Sequence, residues 1–161
     1  ENQMKSLSLK NTGLAIINDT IDVNEQKDHG KHWSERIHPK NKEDVGLRLA
    51  YLTLAKDYGL DIVASGPIFK ESVTSGNTIR IIFEHTGRGL KWRDKNSSNH
   101  SFQISNDGST FVKANARIDG HTVILSGISN PRYVKFAWSN IPTVNLVNSS
   151  GLPASSFRAV P

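Results

Sequence analysis

His38 stands in the run Ile37-His38-Pro39-Lys40-Asn41-Lys42, immediately before a stretch with helical periodicity. An imidazole titrates close to neutrality, so a histidine fixed at such a place can accept and return a proton at working pH. Pro39 suits a first helical turn, where its missing N–H costs nothing and its fixed φ is already helical, and this would aim the ring. The bland alternative is a surface or capping histidine beside a helix start. A general base also needs a group to activate. The chain has no cysteine, which excludes a thiolate nucleophile, thiolate metal sites and disulfides. Its serines, Ser65, Ser126 and Ser149 among them, lie in no nucleophile motif. His29, His32 and His38 invite a metal reading, but Gly30 and Trp33 interrupt a regular helix there and no further ligand stands at a characteristic spacing. Neither a metal nor another cofactor is expected. His85, His100 and His121 fall at strand ends or turns and read as solvated positions.

The elements that must position His38 are legible on both sides of it. Leu14-Ala15-Ile16-Ile17 is a short apolar run before the polar Asn18-Asp19-Thr20, and predicts a buried strand ending in a functional loop. A polar stretch from Asp22 to Arg36 then leads to the histidine. From Asn41 to Tyr58 the periodicity predicts a helix, with Val45, Leu49 and Leu52 on one stripe and Leu47, Tyr51, Leu54 and Tyr58 on a second. Gly59 is placed to stop it in the left-handed conformation, and Asp44 and Arg48, four apart, are expected to pair on the wet side. One strand and one helix cannot bury so wide an apolar face. Residues 1–59 therefore read as the torn edge of a larger unit, to be covered by the rest of the chain, by a second copy, or by a domain encoded upstream.

Beyond Gly59 the period changes from helix to strand. Thr78 to Glu84 alternates, with Ile79, Ile81 and Phe83 on one face, and short runs follow at Ser101 to Ile104, Phe111 to Ile118, Thr122 to Leu125 and Tyr133 to Trp138. Ser75-Gly76-Asn77, Asn106-Asp107-Gly108, Asp119-Gly120 and Asn130-Pro131 separate them as turns, with Asp119-Gly120 predicted as a two-residue type I′ hairpin. Regular short strands at this spacing indicate an antiparallel sandwich. Trp138, at the end of an alternating run, is assigned to the core, whereas Trp92 between Lys91 and Arg93 and Trp33 near His38 are candidates to face a sugar. Asn18, Asn96, Asn99 and Asn148 begin glycosylation triplets that matter only in a secretory eukaryotic setting.

Twenty basic against fifteen acidic residues give a formal net charge of +5. The charges are scattered, and the densest patch, Lys91-Trp92-Arg93-Asp94-Lys95, contains its own acid, so neither nucleic acid nor a membrane surface is expected as a partner. No apolar run approaches the roughly 20 residues needed to cross a bilayer. Glu1 to Lys10 lacks a signal-peptide core, and a chain beginning at Glu reads as a cut or processed piece.

Seven segments carry a family resemblance: Gly13-Leu14-Ala15-Ile16-Ile17-Asn18-Asp19, Ile37 to Lys42, Val45-Gly46-Leu47-Arg48-Leu49-Ala50, Ala55-Lys56-Asp57-Tyr58-Gly59, Ser65-Gly66-Pro67, Phe136-Ala137-Trp138 and Gly151-Leu152-Pro153-Ala154-Ser155-Ser156-Phe157-Arg158. In this order and spacing they resemble the last part of a sialate O-acetylesterase. The resemblance implies an SGNH-type carbohydrate acetylesterase, in which a serine attacks an acetyl ester on a sugar, a histidine moves the proton, and water hydrolyses the acetyl-enzyme. It implies that His38 is the catalytic histidine and that the nucleophile lies upstream of this chain. For the acid that orients the imidazole two candidates stand. Glu35 is three residues before the histidine, where this hydrolase class often carries Asp. Asp19 is the other, and could instead brace its loop through Asx-type bonds.

The implied fold is mixed α and β: residues 1–59 are the C-terminal edge of an α/β hydrolase domain (strand, histidine loop, helix) and residues 60–161 an antiparallel β-sandwich. The implied partners are an acetylated sugar, sialic acid or a related one, in the intact protein, and the missing N-terminal catalytic part or a second copy of this fragment. A bacterial, periplasmic or secreted setting follows from the same resemblance, and the isolated chain is expected to be inactive. The competing class is a non-catalytic sandwich that binds carbohydrate or braces a partner domain, since sandwiches host many functions.

Overall fold

In the computed structural model, residues 2–20 and 40–160 are described, and a sandwich of antiparallel strands makes up most of them. In chain order come a short 3-10 helix, Gln3–Ser8, the α-helix α1, Lys42–Lys56, and ten strands: β1 Ile68–Ser75, β2 Thr78–Glu84, β3 Leu90–Trp92, β4 Phe102–Ser105, β5 Val112–Lys113, β6 Asn115–Asp119, β7 Thr122–Ser126, β8 Tyr133–Phe136, β9 Leu146–Asn148 and β10 Phe157–Ala159. One sheet runs β1-β2-β7-β6, a second β10-β8-β4-β5, and β3 pairs β9 at the side. The α/β part of the expected hydrolase fold does not appear among these residues, which are β-rich with few helices.

The alternation read in β2 holds: Ile79, Ile81 and Phe83 turn inward and meet Val123 and Leu125 of β7, all buried. Phe102, Ile104, Val134 and Phe136 face them from the second sheet, so the two inner surfaces interdigitate as in any two-layer sandwich. Phe157 closes the layer, stacked on Phe69 with centroids 4.5 Å apart and edge-on to Phe83 at 5.9 Å. The predicted run Phe111 to Ile118 divides in two. Val112 and Lys113 pair with β4, whereas Asn115 to Asp119 pair with β7, and buried Ala114 marks the crossing from one sheet to the other.

The hairpin expected at Asp119-Gly120 sits one residue later. Asp119 pairs with Thr122, which leaves Gly120 and His121 in the loop, and only the glycine has positive φ, 62°. Glycine at the first loop position with an ordinary second residue is the type II′ pattern, not I′. The β1–β2 loop repeats it, with Gly76 at φ 55° followed by Asn77. Gly66 meets a different demand: a Cβ there would lie 1.8 Å from the Pro153 carbonyl oxygen, so a backbone passes where no side chain fits.

Three expectations for the N-terminal part need correction. Residues 12–17 take no regular secondary structure and join no sheet among the described residues, although Ile16 is buried. Helix α1 starts at Lys42 with Asn41 as N-cap, its side chain accepting from the Asp44 N–H at 3.0 Å. The first turn of α1 therefore opens three positions after Pro39, which lies outside the described residues. The two apolar stripes are not buried together: Leu52 is covered, while Leu47, Leu49 and Tyr58 are exposed. Arg48 takes the inward position beside Leu52, which is why the buried strip is narrow. Gly59 does follow the helix with φ 69°.

Candidate functional site

Asp19 is the point where three parts of the molecule meet. Its side chain is 5 % exposed, and Arg48 of α1 grips it with two hydrogen bonds, Nη1 to Oδ1 at 2.5 Å and Nη2 to Oδ2 at 3.0 Å. Arg93, just past β3, adds Nη2 to Oδ2 at 2.6 Å. Arg48 also donates to the Ile16 carbonyl at 2.6 Å and reaches Asp44 at 3.3 Å. The expected solvated Asp44–Arg48 pair is therefore the outermost edge of a buried network. Burial pushes the Asp19 carboxyl up, but the hydrogen bonds and charges of Arg48 and Arg93 outweigh it and hold the group below the usual carboxylate range. Two guanidinium groups bind both carboxylate oxygens, and this fork-on-carboxylate geometry, not an Asx turn, is what braces the loop.

Asn18 fastens the same loop to the far end of the chain. Its Nδ2 donates to the Ala154 carbonyl at 3.0 Å and to Ser156 Oγ at 3.1 Å, and its Oδ1 is buried without a hydrogen-bond partner. Asn148 is wholly buried: Nδ2 bonds the carbonyls of Ser65 and His85, and Oδ1 accepts from the N–H groups of Ser150 and Leu152. Neither asparagine has an amide free for a glycan, so their sequence triplets have structural explanations.

His38 and Glu35 lie outside the described residues, as do Trp33, His29 and His32. What the structure gives is the frame around their segment. On its entry side Thr20 is tied to the Ile17 carbonyl through its N–H at 3.1 Å and its hydroxyl at 2.8 Å. On its exit side the Asn41 cap fixes the start of α1, and Arg48 joins that helix to Asp19. The described residues that flank positions 21–39 are thus joined through one ionic network.

Elsewhere the polar side chains are accounted for by their neighbours. His100 is not a solvated position: it stacks on Trp92 with centroids 3.8 Å apart, and its Nδ1 lies 3.2 Å from Asn145 Nδ2. Burial and the Lys113 charge hold this imidazole below its ordinary pKa. His121 Nδ1 contacts Thr86 Oγ1 at 2.7 Å. A cleft of about 560 Å³ beneath α1 is lined by Leu7, Leu52, Val63, Ser65 and His85, but the Ser65 hydroxyl bonds the Gly66 carbonyl at 3.1 Å and so forms no nucleophile–base pair. No group of three or more metal-ligating side chains converges among the described residues, and none of their helices is long and apolar enough to cross a membrane. Trp138 departs from its core assignment, being 36 % exposed with the Arg158 guanidinium 5.2 Å from its ring.

The residues missed from sequence are Arg48 and Arg93. Arg48 carried a usable signal, because it stands at helical spacing between Val45 and Leu52, on the stripe facing the core. A cation there must find a buried acid. Arg93 carried none, since its role depends on a fold that brings it to a residue 74 positions away.

No family model matches the chain, and no curated protein matches it. Among solved structures it is similar to a carbohydrate acetylesterase from Xanthomonas citri, with 34% identity and a TM-score of 0.83 over 98% of the chain. The chain spans about a third, 34%, of the length of that protein. This likeness supports a carbohydrate-esterase-like fold across both the helix-bearing segment and the sandwich.

Proposed function

We propose that this chain is the C-terminal part of a carbohydrate O-acetylesterase that removes acetyl groups from sialic acid or a related sugar through a serine/histidine acyl-enzyme mechanism. The observation that carries the reading is the likeness, at 34% identity over 98% of the chain, to a carbohydrate acetylesterase. In this reading residues 1–59 complete an upstream α/β catalytic domain, residues 60–161 are the sandwich beside it, and the nucleophile lies upstream. The setting is periplasmic or secreted.

His38 accepts the proton of the serine hydroxyl as its oxygen bonds to the acetyl carbonyl carbon, and returns that proton to the sugar oxygen as the ester C–O bond breaks. Water then attacks the acetyl-enzyme with His38 again as base, releasing acetate and the free serine. Glu35 orients the imidazole. Asp19 is left to its two arginines, because its two oxygens already accept three guanidinium hydrogen bonds and its side chain is only 5 % exposed, which leaves little access for an imidazole donor. The ionic frame joins the residues on either side of the His38 segment, Asp19 and helix α1, and imprecise positioning of a base by even ~1 Å costs on the order of 100-fold in rate.

The test is turnover of an O-acetylated sugar by the full-length protein. His38→Ala should lower kcat by about three decades or more with folding intact, and Glu35→Gln should cost less. The isolated chain should hydrolyse p-nitrophenyl acetate no faster than free imidazole. Near-normal turnover by His38→Ala would overturn the assignment.

A further inference from the structure

The outer face of the sheet β10-β8-β4-β5 carries a row of side chains in direct register. Lys113 pairs with Gln103, Gln103 with Lys135, and Lys135 with Arg158. Their strand neighbours Phe102, Ile104, Val134, Phe136 and Phe157 are buried, so alternation turns the whole row outward. With strands about 4.8 Å apart the row crosses roughly 14 Å of surface. No carboxylate offsets Lys113 or Lys135 among the described residues.

Aromatic rings flank this row. Lys135 Nζ lies 3.6 Å from the Phe111 ring centroid, and the Arg158 guanidinium 5.2 Å from that of Trp138. Trp138 also walls a cleft of about 280 Å³ together with Asn99, Gln103, Lys113 and Ser139. Its floor includes Ala137, and Ala137 accompanies Ser101 in the left-handed region, with φ of 48° and 56°; the two are joined by the Ala137 N–H to the Ser101 carbonyl at 2.9 Å. Non-glycine residues held there store strain of the kind found at ligand sites, and here they turn the chain so that the indole stands at the surface. The cleft thus offers a half-exposed indole, side-chain amides, a hydroxyl and the Lys113 ammonium, and Lys135 stands beside it in the same row. An indole covers the apolar face of a pyranose, amides and hydroxyls match its OH groups, and fixed cations match carboxylates.

We propose that this face binds a polysaccharide whose pyranose rings carry carboxylates, with Trp138 stacking on one ring and Lys113 and Lys135 meeting acid groups along the chain. The choice of a glycan over another polyanion rests on the esterase reading; the charge row and the indole stand without it. Such a surface holds an acidic acetylated polymer to the protein while acetyl groups are removed elsewhere.

Affinity electrophoresis of the protein through gels containing polygalacturonate or polysialate, beside gels containing neutral dextran, dextran sulfate or duplex DNA, tests this at about 0.15 M salt. The expected result is a several-fold loss of mobility in at least one carboxylated polysaccharide and none in dextran, and which of the two retards identifies the sugar acid. Trp138→Ala, and separately Lys113→Gln with Lys135→Gln, should each remove most of the retardation, while Trp138→Phe, which keeps a ring, should retain part. Unchanged far-ultraviolet dichroism in the lysine-pair variant separates loss of binding from loss of fold. The proposal is overturned by free migration in both carboxylated gels, or by equal retardation in dextran sulfate or DNA that survives Trp138→Ala, which is charge alone. Retardation of a full-length protein that shows no ester turnover would leave this surface standing and remove the esterase reading; turnover by the full-length protein without retardation would do the reverse.

Discussion

The sandwich and the segment that precedes it are built on different forces. The main apolar core draws all its buried members from Ile79 to Phe157, and α1 contributes none of them. Among the described residues the N-terminal part brings only Ile16 and Leu52 as buried apolar side chains, and is held instead by Asp19 with its two arginines, by Asn18 on Ala154 and Ser156, and by Lys56 Nζ on the Thr12 carbonyl at 2.6 Å. Apolar burial is non-directional and tolerates small shifts, whereas a buried ionic network holds one geometry or fails. A base needs fixed geometry more than bulk stability.

The largest effect should come from the core. Phe136→Ala removes a wholly buried ring that packs tilted against Phe102 with centroids 4.5 Å apart, and should cost about 3–5 kcal/mol in denaturant unfolding, lowering the midpoint for every probe together. Asp19→Asn should come next, at about 3 kcal/mol, because it leaves Arg48 buried without its countercharge. Its signature is local: amide exchange should rise across Lys42–Lys56 while β2 stays protected. Uniform loss of protection would mean that the two regions unfold as one and that the contrast drawn here is false.

Acid provides a finer separation. The Asp19 pKa is lower in the folded than in the unfolded chain, so its contribution is complete above the unfolded value near 3.8 and is lost as pH falls through the folded one. Exchange protection of α1 should therefore decay below about pH 4 before that of β2. Asp107, in a sandwich turn, is held to about 2 by the Ser105 hydroxyl and the Thr110 and Ser109 N–H groups, and should titrate there by NMR as long as the sandwich is folded. The smallest effect belongs to Leu49→Ser. The side chain is exposed, so stability of this chain should change by no more than about 0.5 kcal/mol, and a larger loss would show that the helix face is packed after all.

The strands were legible where one face is buried and the other wet, because that condition writes a period of two into the sequence; β2 is the plainest instance. It failed for β9, whose Leu146, Val147 and Asn148 are all buried and so show no alternation, and for β1, where a bulge between Phe69 and Glu71 breaks the phase. The helix was legible in extent and misread in orientation. Counting apolar residues gave a wide face, but a bidentate Arg–Asp pair can occupy an inward position that hydrophobicity assigns to leucine. Trp138 was misplaced because alternation was carried past Phe136, through the left-handed turn at Ala137. Of the candidate site, the sequence indicated Asn18-Asp19 as a functional loop, but its partners lie at Arg93, Ala154 and Ser156, too far along the chain for spacing to reveal them.

The reach of Asn18 across 136 residues to Ala154, and 138 to Ser156, has a consequence for how the protein is made. Sequence-distant pairings form late, because the intervening loop must close before they are rewarded. On the ribosome these contacts cannot form until the polypeptide around Ala154 and Ser156 has cleared the exit tunnel, long after residues 21–39 have emerged. A nascent chain interrupted inside the sandwich would carry the Asn18-Asp19 loop without its Ala154 and Ser156 partners. Synthesis order thus makes docking of that loop on the sandwich one of the last events in the chain's maturation.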